Sequence, residues 1–143
     1  MIIVRTVSVD TPVAAAFAYL SDFTTTTEWD PGTVRTTRHS GDGGPGTRYH
    51  NVSRFLGRQT ELTYVVEELD PGRRLRLRGE NRTVLAHDTM TFAPTPSGGT
   101  AVTYRAEFEL KGLARLAAPF LRPAFSKLGD DAQAGLRASL QRL

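Results

Sequence analysis

The alternation of apolar and polar positions predicts that most of the chain forms β-strands. From Val102 to Leu110 every second residue is apolar or aromatic, and the residues between them are mostly charged. A strand with this pattern buries one face and exposes the other. Similar runs, separated by Gly, Pro and Asp, are typical of an antiparallel meander. The predicted strands are Ile2–Val9, Thr33–His39, Thr47–Phe55, Arg58–Leu69, Arg73–Gly79, Thr83–Ala93 and Thr100–Leu110.

Two short helices are predicted between the first two strands. Asp10 or Thr11 is expected to cap a helix that has Pro12 in its first turn, where the missing N–H costs nothing. The following segment repeats threonine, which has a low helix propensity. We therefore expect only a short helical turn there, carrying Phe23 and Trp29.

The C-terminal segment is predicted to form a long amphipathic helix that covers the apolar face of the sheet. Its apolar residues recur at spacings of three and four, which places them on one side of a helix. Pro119 and Pro123 interrupt this stripe, and because an interior proline costs about 3 kcal/mol the helix is expected to kink or split there. A bend would open a space between helix and sheet. The stripe consists of Leu113, Leu116, Ala117, Phe120, Leu121, Ala124, Phe125, Leu128, Ala132, Leu136 and Leu140.

Composition narrows the class of protein. The 143 residues, with 39% hydrophobic and 23% charged side chains, predict a single globular domain over residues 1–143. The absence of cysteine excludes disulfides, thiol nucleophiles and thiolate-bound metals. No histidine spacing predicts a metal site and no glycine motif predicts a dinucleotide site, so neither metal nor cofactor is expected. Without a long apolar run or a signal-peptide pattern, we expect a cytoplasmic protein with no membrane insertion.

The charge pattern does not indicate a nucleic-acid partner. The formal net charge is +3, and the 15 acidic residues are interleaved with the 18 basic ones rather than separated from them. The arginines at positions 74, 76 and 78 alternate with leucines, and we expect them to pair with glutamates on neighbouring strands. The sequence carries no signal for an oligomeric state.

Three segments resemble the START-like superfamily, and in particular its small bacterial polyketide cyclase/dehydratase-type members. They are VDTPVAAAFAYLSDFTTTTEWDPG, VVEELDPGRRLRLRG and GGTAVTYRAEFELKGLARLAAPFLRP, in this order along the chain. The resemblance implies an α+β helix-grip fold, in which a curved antiparallel sheet of about seven strands wraps around a long kinked C-terminal helix. It also implies an apolar cavity between sheet and helix. It does not imply a reaction, because one fold serves binders, carriers and enzymes.

The segment from His87 to Phe92 is the most informative for function. If Met90 and Phe92 face the helix, alternation also carries Asp88 inward and leaves His87 outside. A buried carboxyl must find a partner, raise its pKa or serve as an acid or base. Structural pairing and catalysis therefore both remain open, and a register shift by one residue would bring His87 inside instead.

Other candidate ligand contacts share a face with apolar neighbours. Tyr64 and Tyr104 could each donate a phenol hydrogen bond to a ligand, to water or to backbone. The strand Thr47–Phe55 is polar on both faces, and one interpretation turns its odd-numbered residues inward and His50 outward. Trp29 is interpreted as an anchor at the edge of the core, with its N–H bonded to backbone, or else as a pocket wall. The predicted ligand-binding set is Tyr49, Asn51, Tyr64, Met90, Phe92, Tyr104, Phe108, Leu121 and Phe125, with Asp88 as the candidate catalytic residue.

Two functional hypotheses follow. The first is a module that binds a small hydrophobic or amphipathic molecule, lipid-like or polyketide-like, between sheet and helix. The alternative is a polyketide aromatase/cyclase or dehydratase that uses Asp88 as an acid or base. Aromatic cyclases of the superfamily that this chain resembles place arginine and tyrosine side chains in the cavity. No arginine of this sequence is predicted to lie inside.

Overall fold

Seven antiparallel strands form one curved sheet in the structure, a computed structural model that describes residues 1–143. All seven predicted strands are confirmed, with each boundary within one residue of its predicted position. They are β1 (Ile2–Val9), β2 (Thr33–Ser40), β3 (Arg48–Phe55), β4 (Arg58–Asp70), β5 (Arg74–Glu80), β6 (Val84–Pro94) and β7 (Thr100–Leu110). The strand order in the sheet is β1-β7-β6-β5-β4-β3-β2.

The helices between β1 and β2 lie where the sequence predicts them. Helix α1 spans Val13–Ser21, and a 3₁₀ turn at Phe23–Thr25 leads into α2 (Thr26–Trp29). The predicted side-chain cap of α1 is wrong, because no side chain caps its first turn. The Thr11 hydroxyl instead donates a hydrogen bond to the carbonyl of Leu140, which ties the start of α1 to the end of the chain.

The C-terminal segment splits before its first proline, as predicted. A 3₁₀ turn at Gly112–Ala117 is followed by the 24-residue helix α3 (Ala118–Gln141). Pro119 lies in the first turn of α3, where no helical hydrogen bond is lost, and Pro123 lies inside the helix. No helix of the molecule is long and apolar enough to span a membrane.

Glycines allow α3 to approach its neighbours closely. A Cβ atom on Gly129 would lie 2.5 Å from a methyl carbon of Ile3 on β1, and one on Gly135 would lie 1.8 Å from the carbonyl oxygen of Trp29 on α2. These two contacts hold the helix along the β1 edge of the sheet and against α2. The buried residues of α3 are Phe125, Gly129, Ala132, Leu136, Ser139 and Leu140.

The first part of the predicted apolar stripe is not packed. Leu113, Leu116 and Phe120 are 87%, 75% and 83% exposed, so the expectation that they cover the sheet is wrong. Their spacing identifies one face of a helix, but the 3₁₀ turn carries that face away from the strands. From Leu121 onward, most of the stripe packs against the core.

The arginines of β5 pair with glutamates on the outer face. Arg74 and Arg76 pair with residues of the neighbouring strand β4, as predicted, whereas Arg78 pairs with Glu80 of its own strand. The pairs are Arg74–Glu68 at 3.0 Å, Arg76–Glu67 at 3.1 Å and Arg78–Glu80 at 2.8 Å. Each arginine therefore has a carboxylate partner within the protein, and the inner face of the sheet is left to hold the candidate site.

Candidate functional site

Asp88 lies at the centre of the apolar inner face of the sheet. It stands on β6, directly opposite Leu77 of β5 and Ala106 of β7, and is only 5% exposed. His87 points to the outer face, where it lies near Glu67. The structure thus has the register in which alternation carries Asp88 inward.

The Asp88 carboxyl has one long hydrogen bond and one oxygen without a partner. The Tyr104 hydroxyl donates to Oδ2 at 3.4 Å, longer than the usual range for an O–H···O bond. The other oxygen, Oδ1, is buried and accepts no hydrogen bond from the protein. Such an unsatisfied buried acceptor costs about 1–3 kcal/mol and calls for a physical explanation.

This environment changes the acidity of Asp88. Burial in the core, together with the negative charge of Asp30, raises the pKa of Asp88 to about 7, against the opposing hydrogen bond from Tyr104. A carboxyl with a pKa near neutrality exists in both protonation states under ordinary conditions. It can therefore donate a proton or accept one without a large free-energy cost.

Two tyrosines border Asp88 and remain neutral. Burial, and then the charges of Asp88 and Asp30, raise the pKa of both Tyr64 and Tyr104 well above the ordinary phenol value. The ring of Tyr64 lies over Gly79, where a Cβ atom would come within 2.5 Å of it. The glycine thus makes room for the phenol to lie flat across the sheet. Both phenols therefore keep their proton, which Tyr104 already donates to Asp88.

Trp29 packs from the side of α2 against the group formed by Asp88, Tyr64 and Tyr104, which we call the polar cluster. Its ring stands nearly perpendicular to that of Tyr104, with the centroids 5.7 Å apart. The indole nitrogen is buried and has no hydrogen-bond partner, so the predicted bond to backbone is wrong. The ring packs against the inner face of the sheet, where the strand amides and carbonyls are already engaged with one another.

Asp30 is a site residue that the sequence analysis missed. Its carboxylate accepts hydrogen bonds from the Gly32 N–H at 3.0 Å and the Thr33 hydroxyl at 3.0 Å, which fix the turn after α2. Burial raises the pKa of Asp30 and these bonds oppose the rise. The Asp30-Pro31-Gly32 sequence is typical of a turn, and the charge of its aspartate also acts on Asp88. No group of three or more potential metal-binding side chains is present.

Two predicted contacts lie apart from the Asp88 cluster. The Asn51 amide donates to the Thr36 hydroxyl at 2.9 Å and accepts from the Ser53 hydroxyl at 2.7 Å, so it is engaged between β2 and β3. Tyr49 is buried beside Phe23, with ring centroids 5.7 Å apart. The polar groups of Asn51 are therefore occupied by the protein itself.

Two further predicted contacts extend the apolar floor of the inner face. Met90 is buried opposite Tyr104, two residues along β6 from Asp88 and on the same face of the sheet. Phe92 packs edge-on against Phe17 of α1 at 5.1 Å, at the end of the sheet that α1 covers. Met90 is thus next to the polar cluster, and Phe92 belongs to the α1 contact.

Phe55, Phe125 and Phe108 form a row of aromatic rings, the aromatic row, that connects α3 to strands near opposite edges of the sheet. The ring of Phe125 lies 4.9 Å from Phe55 of β3 and 4.7 Å from Phe108 of β7. Leu121, one turn earlier, is half-buried against the same core. These rings occupy the space between α3 and the sheet in which the sequence predicts an open cavity.

Three of the five main pockets lie along α3, next to the aromatic row. One, of about 370 Å³, separates α3 from the β3–β4 hairpin and has Phe55 in its wall. Another, of about 270 Å³, lies between the end of β7 and the start of α3, against Phe108 and Phe125. None of the five main pockets is lined by Tyr64, Asp88 or Tyr104. The row therefore forms a boundary between these pockets and the polar cluster.

The sheet, the long C-terminal helix and the two short helices define a START-like helix-grip protein, as predicted. The whole chain, residues 1–143, matches the family described as polyketide cyclase / dehydrase and lipid transport, and it belongs to that family. No curated protein sequence matches the chain.

Solved structures share this fold at low sequence identity. The Zhui aromatase/cyclase from Streptomyces sp. R1128 superposes with a TM-score of 0.85 at 14% identity, covering 99% of this chain and 94% of that one. A START superfamily protein from Mycobacterium smegmatis gives 0.80 at 12% identity, covering 99% and 97%. A Thermus thermophilus protein gives 0.84 at 16% identity, covering 99% and 98%. At these identities the likeness is one of fold alone.

Proposed function

We propose that the protein binds a small hydrophobic or amphipathic molecule between the sheet and α3, with a polar group of the ligand held at Asp88. The observation that carries this proposal is the pair of unpartnered polar atoms, Asp88 Oδ1 and Trp29 Nε1, in residues that both contact Tyr104. A ligand hydroxyl would satisfy the carboxyl oxygen, and a ligand carbonyl would satisfy the indole N–H. The family description, which names lipid transport beside polyketide chemistry, supports a ligand of this kind.

The apolar body of the ligand is expected to take the place of the aromatic row. Phe125 contacts both Phe55 and Phe108, so its displacement joins the interior to the flanking pockets. Because Phe125 lies two residues after Pro123, the helix lacks one backbone hydrogen bond close to this position. The ligand therefore enters by moving a single side chain on α3.

A matched pair of probes tests the proposed polar contact. Trp29 is the only tryptophan, so its fluorescence reports binding beside Asp88. We expect 2-naphthol to bind about tenfold more tightly than naphthalene, because only the hydroxyl can donate to Asp88, and an added hydrogen bond to a buried acceptor is worth about 1 kcal/mol or more.

The variant Asp88→Ala should lose this preference and Asp70→Asn, at an exposed aspartate, should keep it. Equal affinities for the two probes in the unaltered protein would remove Asp88 from ligand binding. Native mass spectrometry of protein purified from its own host then identifies any retained natural ligand.

A second candidate function is a polyketide cyclisation or dehydration in which Asp88 acts as acid and base. It is favoured by the pKa of about 7 and by the two neutral phenols beside the carboxyl. The carboxylate would take a proton from the carbon between two carbonyls, and a phenol would hydrogen-bond the enolate oxygen that forms. The enolate carbon then bonds to a second carbonyl carbon, and the proton on Asp88 passes to the new alkoxide.

The variant Asp88→Asn distinguishes ligand binding from catalysis. Asp88→Asn keeps a polar side chain of the same size but cannot exchange a proton. If the protein is an enzyme, this variant should bind a poly-β-ketone substrate and fail to convert it. Conversion at the unaltered rate would remove Asp88 from the role of acid and base, and no conversion by the unaltered protein would leave only the binding function.

A further inference from the structure

Four large apolar side chains protrude into solvent at one end of the molecule. They are Leu56, Leu113, Leu116 and Phe120, which are between 65% and 87% exposed, and we call them the apolar rim. Leu56 lies at the tip of the β3–β4 hairpin, and the other three follow β7. In this antiparallel sheet β3 and β7 both run toward the same end, so the hairpin tip and the segment after β7 share that end.

The backbone presents these residues outward. Leu56 adopts a positive φ of 52°, an uncommon conformation for a large apolar residue, and its side chain remains in solvent. Leu113, Leu116 and Phe120 are spaced by three and four along a 3₁₀ turn and the first turn of α3, so they share one face. That face points away from the core.

The unpaired charges around the apolar rim are mostly basic. Residues 111–129 contain two lysines and two arginines and no acidic residue. Lys111 is paired with Glu80, and Lys127 with Asp131 at 2.7 Å. The arginines of this end that take part in none of the ion pairs of the molecule are Arg54, Arg58, Arg82, Arg115 and Arg122, and Glu109 at the end of β7 is an unpaired carboxylate beside them.

We infer that the apolar rim docks on the surface of a membrane that contains anionic lipids. Leucine and phenylalanine side chains enter the boundary between headgroups and acyl chains, and the unpaired arginines contact lipid phosphates. The segment lies on the bilayer and does not cross it. A convex turn with protruding side chains gains most from a deformable lipid phase, whereas a protein partner would need a matching groove.

This surface adjoins the proposed ligand site. Phe125 follows Phe120 by five residues on α3, so docking of the rim brings the lipid phase close to the aromatic row. The docking itself does not depend on the proposed ligand. Its test contains no ligand, and its failure would leave the ligand proposal standing.

Vesicle binding in the absence of added ligand tests the inference. We expect the full chain to sediment with vesicles of phosphatidylglycerol and phosphatidylcholine in equal parts, and much less with phosphatidylcholine alone. Added salt should weaken binding, because it screens the arginine–phosphate attraction. The double variant Leu116→Ser, Phe120→Ser should reduce the partition coefficient by about tenfold or more, since two apolar side chains no longer enter the bilayer.

Leu143→Ser is the matched control, because Leu143 is exposed at the opposite end of α3. Its partition coefficient should equal that of the unaltered protein. The altered positions are in solvent, so unchanged thermal melting is expected for both variants. The inference is overturned if the unaltered protein ignores anionic vesicles, or if the double variant binds them equally well. Self-association or capture of an acidic protein that the double variant abolishes, without vesicle binding, would also overturn it.

Discussion

The burial of the Asp88 carboxyl lowers the stability of the folded state in a way that its surroundings only partly offset. Its cross-strand neighbours are Leu77 and Ala106, and its one hydrogen bond, from Tyr104, is long at 3.4 Å. The nearby charge of Asp30 adds to the cost of ionisation. A residue that only stabilised the fold would be better replaced by an apolar one of similar size. The buried, unpartnered oxygen of this carboxyl therefore supports the proposed ligand-directed role of Asp88.

The raised pKa makes stability depend on pH. Because Asp88 titrates at about 7 in the folded state and at an ordinary value of 3.8 when unfolded, the folded protein holds a proton that the unfolded chain releases between those values. The free energy of unfolding should therefore fall as pH rises from about 4 to about 7, by ~4 kcal/mol at most. Asp88→Asn lacks this titration and should gain stability relative to the unaltered protein over the same range.

Urea unfolding of both proteins across this range measures the difference. Asp30 and the other groups titrate in both proteins, so subtracting the two curves isolates the contribution of Asp88. Parallel curves would show that the Asp88 carboxyl is not protonated preferentially in the folded state.

The sequence could predict the position of Asp88 but not its unsatisfied state. Strict alternation along β6 places Asp88 with Met90 and Phe92, and this depends only on the pleat of one strand. The orphaned N–H of Trp29 and the charge of Asp30 depend instead on how α2 packs against α3. That contact joins residues more than a hundred positions apart and has no periodic signal in the sequence.

At the scale of elements, periodicity determined which residues share a face but not what covers that face. The strands agree with prediction because turn residues and two-residue alternation are local properties. The apolar spacing of Leu113, Leu116 and Phe120 is equally regular, yet these residues are in solvent. Their exposure follows from the 3₁₀ turn after β7, which redirects the chain before α3 begins.

The contact between α2 and α3 depends on the absence of a side chain at one position. In Gly135→Ala the new Cβ atom would lie 1.8 Å from the backbone carbonyl oxygen of Trp29, so one of the helices must shift. Although alanine favours a helix by about 1 kcal/mol over glycine, we expect a net loss of about 1–3 kcal/mol. The fluorescence of Trp29 should change as well, since the shift alters its packing on Tyr104.

Gly44→Ala provides the control for this substitution. Its new Cβ atom would meet only the side chain of Asp42, at 3.3 Å in an exposed loop, so stability should be nearly unchanged. Urea unfolding measures both variants. If Gly135→Ala is as stable as Gly44→Ala, the close approach of α2 and α3 does not hold the helix in place.

At the scale of the whole molecule, the two halves of α3 pack against the rest of the protein in different ways. The second half packs against β1 and α2 through small residues and fixes the helix to the shell. The first half meets the sheet mainly through bulky side chains, above all Phe125. Arg5 of β1 joins the halves, because its guanidinium donates to Asp130 and to the carbonyl of Ser126. Replacing Phe125 should therefore open the interior without releasing the helix.

Phe125→Ala separates the cost of that opening from its effect on binding. Loss of a buried phenylalanine should lower the free energy of unfolding by about 3–5 kcal/mol. The space left between Phe55 and Phe108 should at the same time raise the affinity for naphthalene, since the ligand no longer has to displace an aromatic ring. Phe92→Ala removes an equally buried ring that packs on Phe17, away from α3, and should lose comparable stability without gaining affinity. Fluorescence titration and urea unfolding of both variants measure the two effects. If both variants gain the same affinity for naphthalene, any loss of core packing admits the probe. Phe125 would then not be the residue that controls access to the ligand site.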